Sequence, residues 1–141
     1  AQGDLSGALQ AYQHSLDIAQ RLAAADPGNA AWQRDLSVSH DRIGDVRVAQ
    51  GDLSGALQAY QHSLDIRERL AAADPGNAAW QRDLAVSFYK LAAFHNEANQ
   101  QEQAVACLLK CREVLRGMRD RGMHLDPPMV GLLEQLEGMG D

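Results

Sequence analysis

The sequence predicts an all-α protein built from antiparallel helix pairs. Three observations carry that prediction. There is a long internal repeat, apolar positions recur in steps of three and four, and Asp-Pro-Gly-Asn breaks fall at matching places in successive copies. Residues 1–36 return as residues 49–84, an offset of 48, with only two differences, Ala19/Arg67 and Gln20/Glu68. The match fades between Ser37–Val48 and Ala85–Asn96. A degenerate third unit starts at Glu97, with Gln103-Ala104-Val105 where Gly55-Ala56-Leu57 stood. Two near-identical copies and one divergent end are the pattern of a stacked array with a terminal cap.

The elements follow in order. A helix over 5–25 is predicted by its second copy over 53–73. There Leu53, Ala56, Leu57, Tyr60, Ser63, Leu64 and Leu70 keep the helical period. Asp26-Pro27-Gly28 stops the first copy, and Asn29 caps a helix over 30–49 whose apolar face opens at Trp32. Gly51 suits the end of that helix, where a left-handed conformation costs glycine nothing. Asp52 or Ser54 can cap the third helix, which Pro75-Gly76 ends. Asn77 then caps a helix over 78–98 with a face of Trp80, Leu84, Ser87, Phe88, Leu91, Ala92, His95 and Ala98. A fifth helix runs over 101–121. A shorter sixth follows Asp126-Pro127-Pro128, where aspartate suits a cap and proline the first helical position. Each long helix spans roughly 30 Å at about 1.5 Å per residue. Short connections make successive helices antiparallel neighbours.

Composition removes several function classes. A single domain over residues 1–141 is the natural reading of this length. No run of 18 apolar residues exists, so no membrane-spanning helix is expected. Ala1-Gln2-Gly3-Asp4 lacks the layout of a signal peptide. Thirteen Lys and Arg against nineteen Asp and Glu argue against nucleic acid, which needs a basic face. Two cysteines four residues apart do not make a disulfide scaffold, and a reducing cytoplasm is the expected compartment.

The repeat resembles the tetratricopeptide repeat (TPR). The family's Leu-Gly, the Gly before its second helix and its small and aromatic positions fall on Ile43-Gly44, Gly51, Ala56, Tyr60 and Ser63. In the last unit they fall on Leu91-Ala92, Asn99, Ala104, Leu108 and Cys111, so the resemblance covers residues 1–122. The period departs from the family's roughly 34 residues, and the longer helices are similar to the extended repeats of kinesin light chain. The family Trp position holds His40 or Phe88, the Tyr position Arg47 or His95, and the Pro is displaced to Pro27 and Pro75. The resemblance implies a right-handed α-solenoid. Residues 1–26 are then the second helix of an incomplete unit, 29–74 and 77–122 are full units, and 126–138 form a capping helix. Gly44, Ala56 and Ser63 would let paired helices approach closely, so leucine at Ala56 or Ala8 should overpack a crossing.

The resemblance also implies a peptide-binding concave face lined by the first helices of successive units. By register those positions are Val38, Asp41, Arg42, Asp45 and Val48, then Val86, Tyr89, Lys90, Ala93 and Asn96, with Arg34 and Arg82 extending the same side. The copies diverge there, Asp41 becoming Tyr89 and Asp45 becoming Ala93. End-capping explains that divergence equally well, since Phe88, Leu91 and Phe94 replace His40, Ile43 and Val46 as a last unit requires.

Other candidates read as structure. Cys107 and Cys111 share a helical face but lack the partners of a metal site, and they suit packing. The His62-Ser63 neighbours point about 100° apart on a helix and cannot form a triad. His14 and His62 read as solvated, and Trp32 and Trp80 as inter-repeat packing. Arg112, Arg116, Arg119 and Arg121 are read as cations complementing a helix C-terminus, with Glu113 and Asp120 as local partners. The alternative is a clamp for an acidic tail.

No nucleophile–base pair, metal cluster or phosphate loop is found, and Gly3, Gly7, Gly51 and Gly55 read as helix-junction residues. The expected function is therefore non-enzymatic, without a cofactor, binding a protein or peptide. The alternative is a structural, self-associating part of a longer array. The first helix would leave a flank of Leu5, Ala8, Leu9, Tyr12, Ser15 and Leu16 without its usual neighbour. A longer array or a homodimer through Leu5, Leu9, Tyr12 and Leu16 would cover it.

Overall fold

The computed structural model describes residues 2–140, with Gln2 described by its backbone alone; Ala1 and Asp141, the ends of the expected domain, lie outside the described residues. Six α-helices follow one another: α1 (Gln2–Ala25), α2 (Ala30–Ala49), α3 (Leu53–Ala73), α4 (Ala78–Glu97), α5 (Gln101–Asp120) and α6 (Pro127–Glu137). No strand occurs among the described residues. Sequential helices pack together, α1 on α2, α4 on α5 and α5 on α6. No helix among the described residues is long and apolar enough to cross a membrane.

The local chemistry sets the boundaries. Asn29 and Asn77 accept the amides of Trp32 and Trp80 at 3.1 Å, so the two Asp-Pro-Gly-Asn turns start α2 and α4 in the same way. Gly51 adopts φ +80° after α2, and Asn99 takes the same left-handed turn at φ 59° after α4. Asp52 caps α3 by accepting the Gly55 amide at 2.9 Å, and its other oxygen meets Arg47 at 2.8 Å. Both contacts hold the Asp52 carboxyl below its ordinary range, the Gly55 amide first.

Two expectations are corrected. Helix α1 begins at Gln2, so Gly3 and Gly7 lie within it rather than at a junction. Asp126 stands at the cap position of α6 but makes no side-chain cap bond. Its carboxylate turns instead to Arg82, 2.9 Å away, and that guanidinium holds the carboxyl below its usual value.

The chain forms two compact units, Ala1–Leu70 and Ala71–Asp141, and α3 passes from one to the other in its last turn. The first unit buries Ile43 and Val46 of α2 and Ala56, Ala59, Tyr60, Leu64 and Ile66 of α3. Gly44 lets α3 come close to α2, since a Cβ there would lie 2.5 Å from Cε1 of Tyr60. The second unit buries Phe88, Leu91 and Phe94 of α4, Leu115 and Met118 of α5, and Met129, Leu133 and Leu136 of α6. Each large apolar side chain withdrawn from water contributes roughly 1.5–3 kcal/mol.

Candidate functional site

The expected concave-face positions meet different fates. In the first unit Arg34, Arg42 and Asp45 are exposed and Val38 and Val48 half-buried. Asp41 departs from expectation. It is buried, and Arg67 of α3 reaches its carboxylate at 2.8 Å. Arg67 Nε also donates to Ser37 Oγ at 3.2 Å, and Ser37 donates to the Arg34 carbonyl. A buried guanidinium needs this many acceptors. Asp45 accepts the Tyr60 hydroxyl at 2.6 Å, so it too serves the α2–α3 crossing.

The second unit presents an open hollow between α4 and α6. Val86 and Tyr89 line it from α4, and Pro128, Met129, Gly131, Leu132 and Gln135 from α6. Its volume is about 420 Å³, within the range of small-ligand clefts. Tyr89 is 47% exposed, a large aromatic left at the wall of an apolar recess. Of the remaining expected positions, Arg82 is held by Asp126, Lys90 is half-buried, and Asn96 is exposed and accepts from Gln101 at 3.0 Å. The sequence reading missed the α6 wall, although the run Pro128-Met129-Val130 with Leu132-Leu133 offers more apolar surface than one core-facing stripe needs.

The arginine cluster of α5 is a clamp within the chain. Arg116 and Arg119 converge on Glu137 of α6, Arg119 at 2.9 Å. Arg112 is buried and donates to the carbonyls of Leu136 and Gly140. Arg121 donates to the Pro75 carbonyl at 3.0 Å. The expected local partners are thus corrected: Asp120 meets Arg119 at 3.3 Å, but the main anion is Glu137. The Arg116 guanidinium first, with Arg119, holds the Glu137 carboxyl down to about 2.

Neither cysteine gains the partners of a metal site. Cys111 is buried with Sγ 3.4 Å from the Ala85 carbonyl, and burial pushes its thiol up to about 11. Cys107 is half-buried, and its thiol is also raised by burial. No group of three or more His, Cys, Asp and Glu gathers to hold a metal among the described residues. His14 and His62 are exposed, as the repeat suggested. His62 nevertheless sets its ring edge-on against buried His40, with centroids 4.9 Å apart. Burial, then the His62 charge, pushes His40 down to about 4.

The N-terminal residues named for self-association, Leu5, Leu9, Tyr12 and Leu16, are each half-buried. The large exposed apolar side chains of α1 are instead Ile18, at 47%, and Leu22, at 41%. They border a small recess with Ser15, Ala19 and, from α2, Trp32, Asp35 and Ser39. Ile18 and Leu22 lie outside the flank that sequence spacing named on α1. No protein-family model matches the chain, and no curated protein is detectably similar to it.

Proposed function

We propose that the chain is a non-enzymatic interaction scaffold of the tetratricopeptide type, its helix pairs stacked as an α-solenoid with α6 as the cap. It holds a peptide or protein segment by an apolar side chain set into the hollow between α4 and α6. One observation carries the reading: an exposed aromatic, Tyr89, stands beside Val86 and Leu132 at an open apolar recess. Aromatic anchors in such recesses supply most of the energy at protein interfaces. The position is also where the copies diverge, Tyr89 standing where the first unit has Asp41.

Peptides selected on the immobilised chain from a random displayed library supply the probe. Their affinity should fall at least tenfold in Tyr89→Ala and again in Leu132→Ser, with the far-ultraviolet circular dichroism unchanged. Selected peptides that bind both variants as they bind the parent would remove the hollow from the reading.

A second reading is a structural segment that continues as an array or associates with itself. The exposed Ile18 and Leu22 of α1 favour it.

A further inference from the structure

His40 of α2 and His62 of α3 face each other across the α2–α3 crossing, with ring centroids 4.9 Å apart and ring planes at 60°. Neither ring makes a hydrogen bond among the described residues. His40 is buried and held in place, whereas His62 is exposed and can turn a ring nitrogen about its side-chain bonds. The nitrogens of His40 still meet solvent, since the sealed polar atoms without a partner among the described residues are Ser63 Oγ and Asp126 Oδ1. Burial first, then the His62 charge, pushes His40 down to about 4, so its ring is neutral at pH 7. It offers a lone pair without first losing a proton. The neighbouring carboxylates of α2 are engaged elsewhere, Asp41 by Arg67 and Asp45 by the Tyr60 hydroxyl.

Helix register creates this juxtaposition. Forty-eight residues on, Phe88 and Lys110 occupy the matching places on α4 and α5, and Lys110 Nζ stands 5.8 Å from the Phe88 ring centre. The two positions meet in both units, but both are imidazoles only in the first. His14 repeats the local sequence of His62 and has no second ring against it among the described residues. Two imidazole nitrogens, each about 2.0–2.1 Å from one ion, put the ring centres about 4.5–5.3 Å apart at an N–metal–N angle of about 90–110°. The observed separation of 4.9 Å lies inside that range. We propose that His40 and His62 form a two-imidazole site for one divalent transition ion of the nickel, copper or zinc kind, which ties α2 to α3. A pair of nitrogen donors with no carboxylate selects these ions over magnesium or calcium, and water completes the coordination. The fold brings the two rings together and the unfolded chain does not, so the bound ion stabilises the crossing. The site lies in the first unit and does not depend on the α4–α6 hollow.

The test titrates the untagged full chain with Ni2+ and with Zn2+ in a calorimeter. One ion per chain should bind, and Mg2+ should not. His40→Phe and His62→Lys, which install the residues of the second unit, should each weaken Ni2+ binding at least tenfold, because a single ring loses the gain of chelation. His62→Lys changes an exposed side chain and decides alone where His40→Phe perturbs the fold. His14→Ala should leave binding unchanged. Saturating Ni2+ should raise the melting temperature of the parent and of His14→Ala but not of the two site variants, with circular dichroism before metal addition showing which variants are folded. X-ray absorption of the Ni2+ complex should show two imidazole ligands. Undiminished binding in His62→Lys, a spectrum with one imidazole, or no saturable binding by the parent overturns the proposal.

Discussion

Gly44 lies so close to the ring of Tyr60 that a methyl group there would come within 2.5 Å of Cε1. Alanine is normally the better helix former, by about 1 kcal/mol. At this position the steric conflict should outweigh that gain. Gly44→Ala should lose roughly 1–3 kcal/mol, the usual cost of overpacking, in urea unfolding. In a Tyr60→Leu background the ring is gone, and the same change should become neutral or stabilising. A loss of equal size in both backgrounds would mean that the ring is not what excludes the methyl.

Arg67 and Asp41 form an ion pair with side chains 5% and 9% exposed. Arg67→Leu alone strands a buried carboxylate and should cost about 3–5 kcal/mol. Adding Asp41→Ala should restore most of the loss. A double variant no more stable than the single one would show that the pair's geometry, rather than the stranded charge, carries the cost. Chemical denaturation of the four proteins measures the cycle.

His40 gives the fold a sensitivity to acid. In the unfolded chain its imidazole takes a proton near pH 6.5, whereas in the fold it does so only at about 4. Between those values the unfolded state binds more protons. The neutral imidazole's contribution is complete above pH 6.5 and is lost as the pH falls toward 4, by about 3 kcal/mol at most. His40→Phe, which installs the residue found at the matching position 88, should flatten this limb. Unfolding free energies measured from pH 7 to 4 that run parallel in the two proteins would contradict it.

Much of this architecture was legible in the residues. Steps of three and four, Asn caps and Pro-Gly stops located all six helices to within a few residues, because each signal acts on its own neighbourhood. What was not legible depends on partners distant in sequence. Register put Asp41 on a solvent-facing side, and only the packed structure shows Arg67 crossing to cover it. The one trace in the sequence was that Arg67 is among the two residues in which the copies differ. The anion of the α5 arginines is not legible from their neighbours, because Glu137 lies in another helix. At the hollow, Val86 and Tyr89 are legible and the α6 wall is not, since only packing distant in sequence brings Leu132 and Gln135 beside them.

Repeat equivalence also misleads about Ala8 and Ala56. Ala56 is fully buried and Ala8 only half-buried. Ala56→Leu should cost roughly 1–3 kcal/mol, and Ala8→Leu distinctly less. Thermal melts of the two variants compare them directly, and equal losses would show that the face of α1 is closed after all.

Glu137 ties α6 to α5 through Arg116 and Arg119. Glu137→Gln should speed amide exchange in α6 while leaving α1 to α3 unchanged. Acid should act in the same way. The ion pairs are intact above the ordinary carboxylate pKa near 4.5 and fail as the pH falls toward about 2. Unaltered exchange in α6 would show that its apolar contacts hold it without the clamp.

The pairing of Asp41 with Arg67 bears on how the chain avoids a folding error. A newly made chain holds two nearly interchangeable segments, α1 and α3, that compete for the surfaces of α2. Apolar burial scarcely distinguishes them. A swapped arrangement would bring Ala19 to Asp41 and leave the carboxylate buried without a cation, at a penalty of several kcal/mol. One substitution in one copy is thus enough to make the misthreaded state a poor competitor, and reverting Arg67→Ala should lengthen refolding as well as weaken the fold.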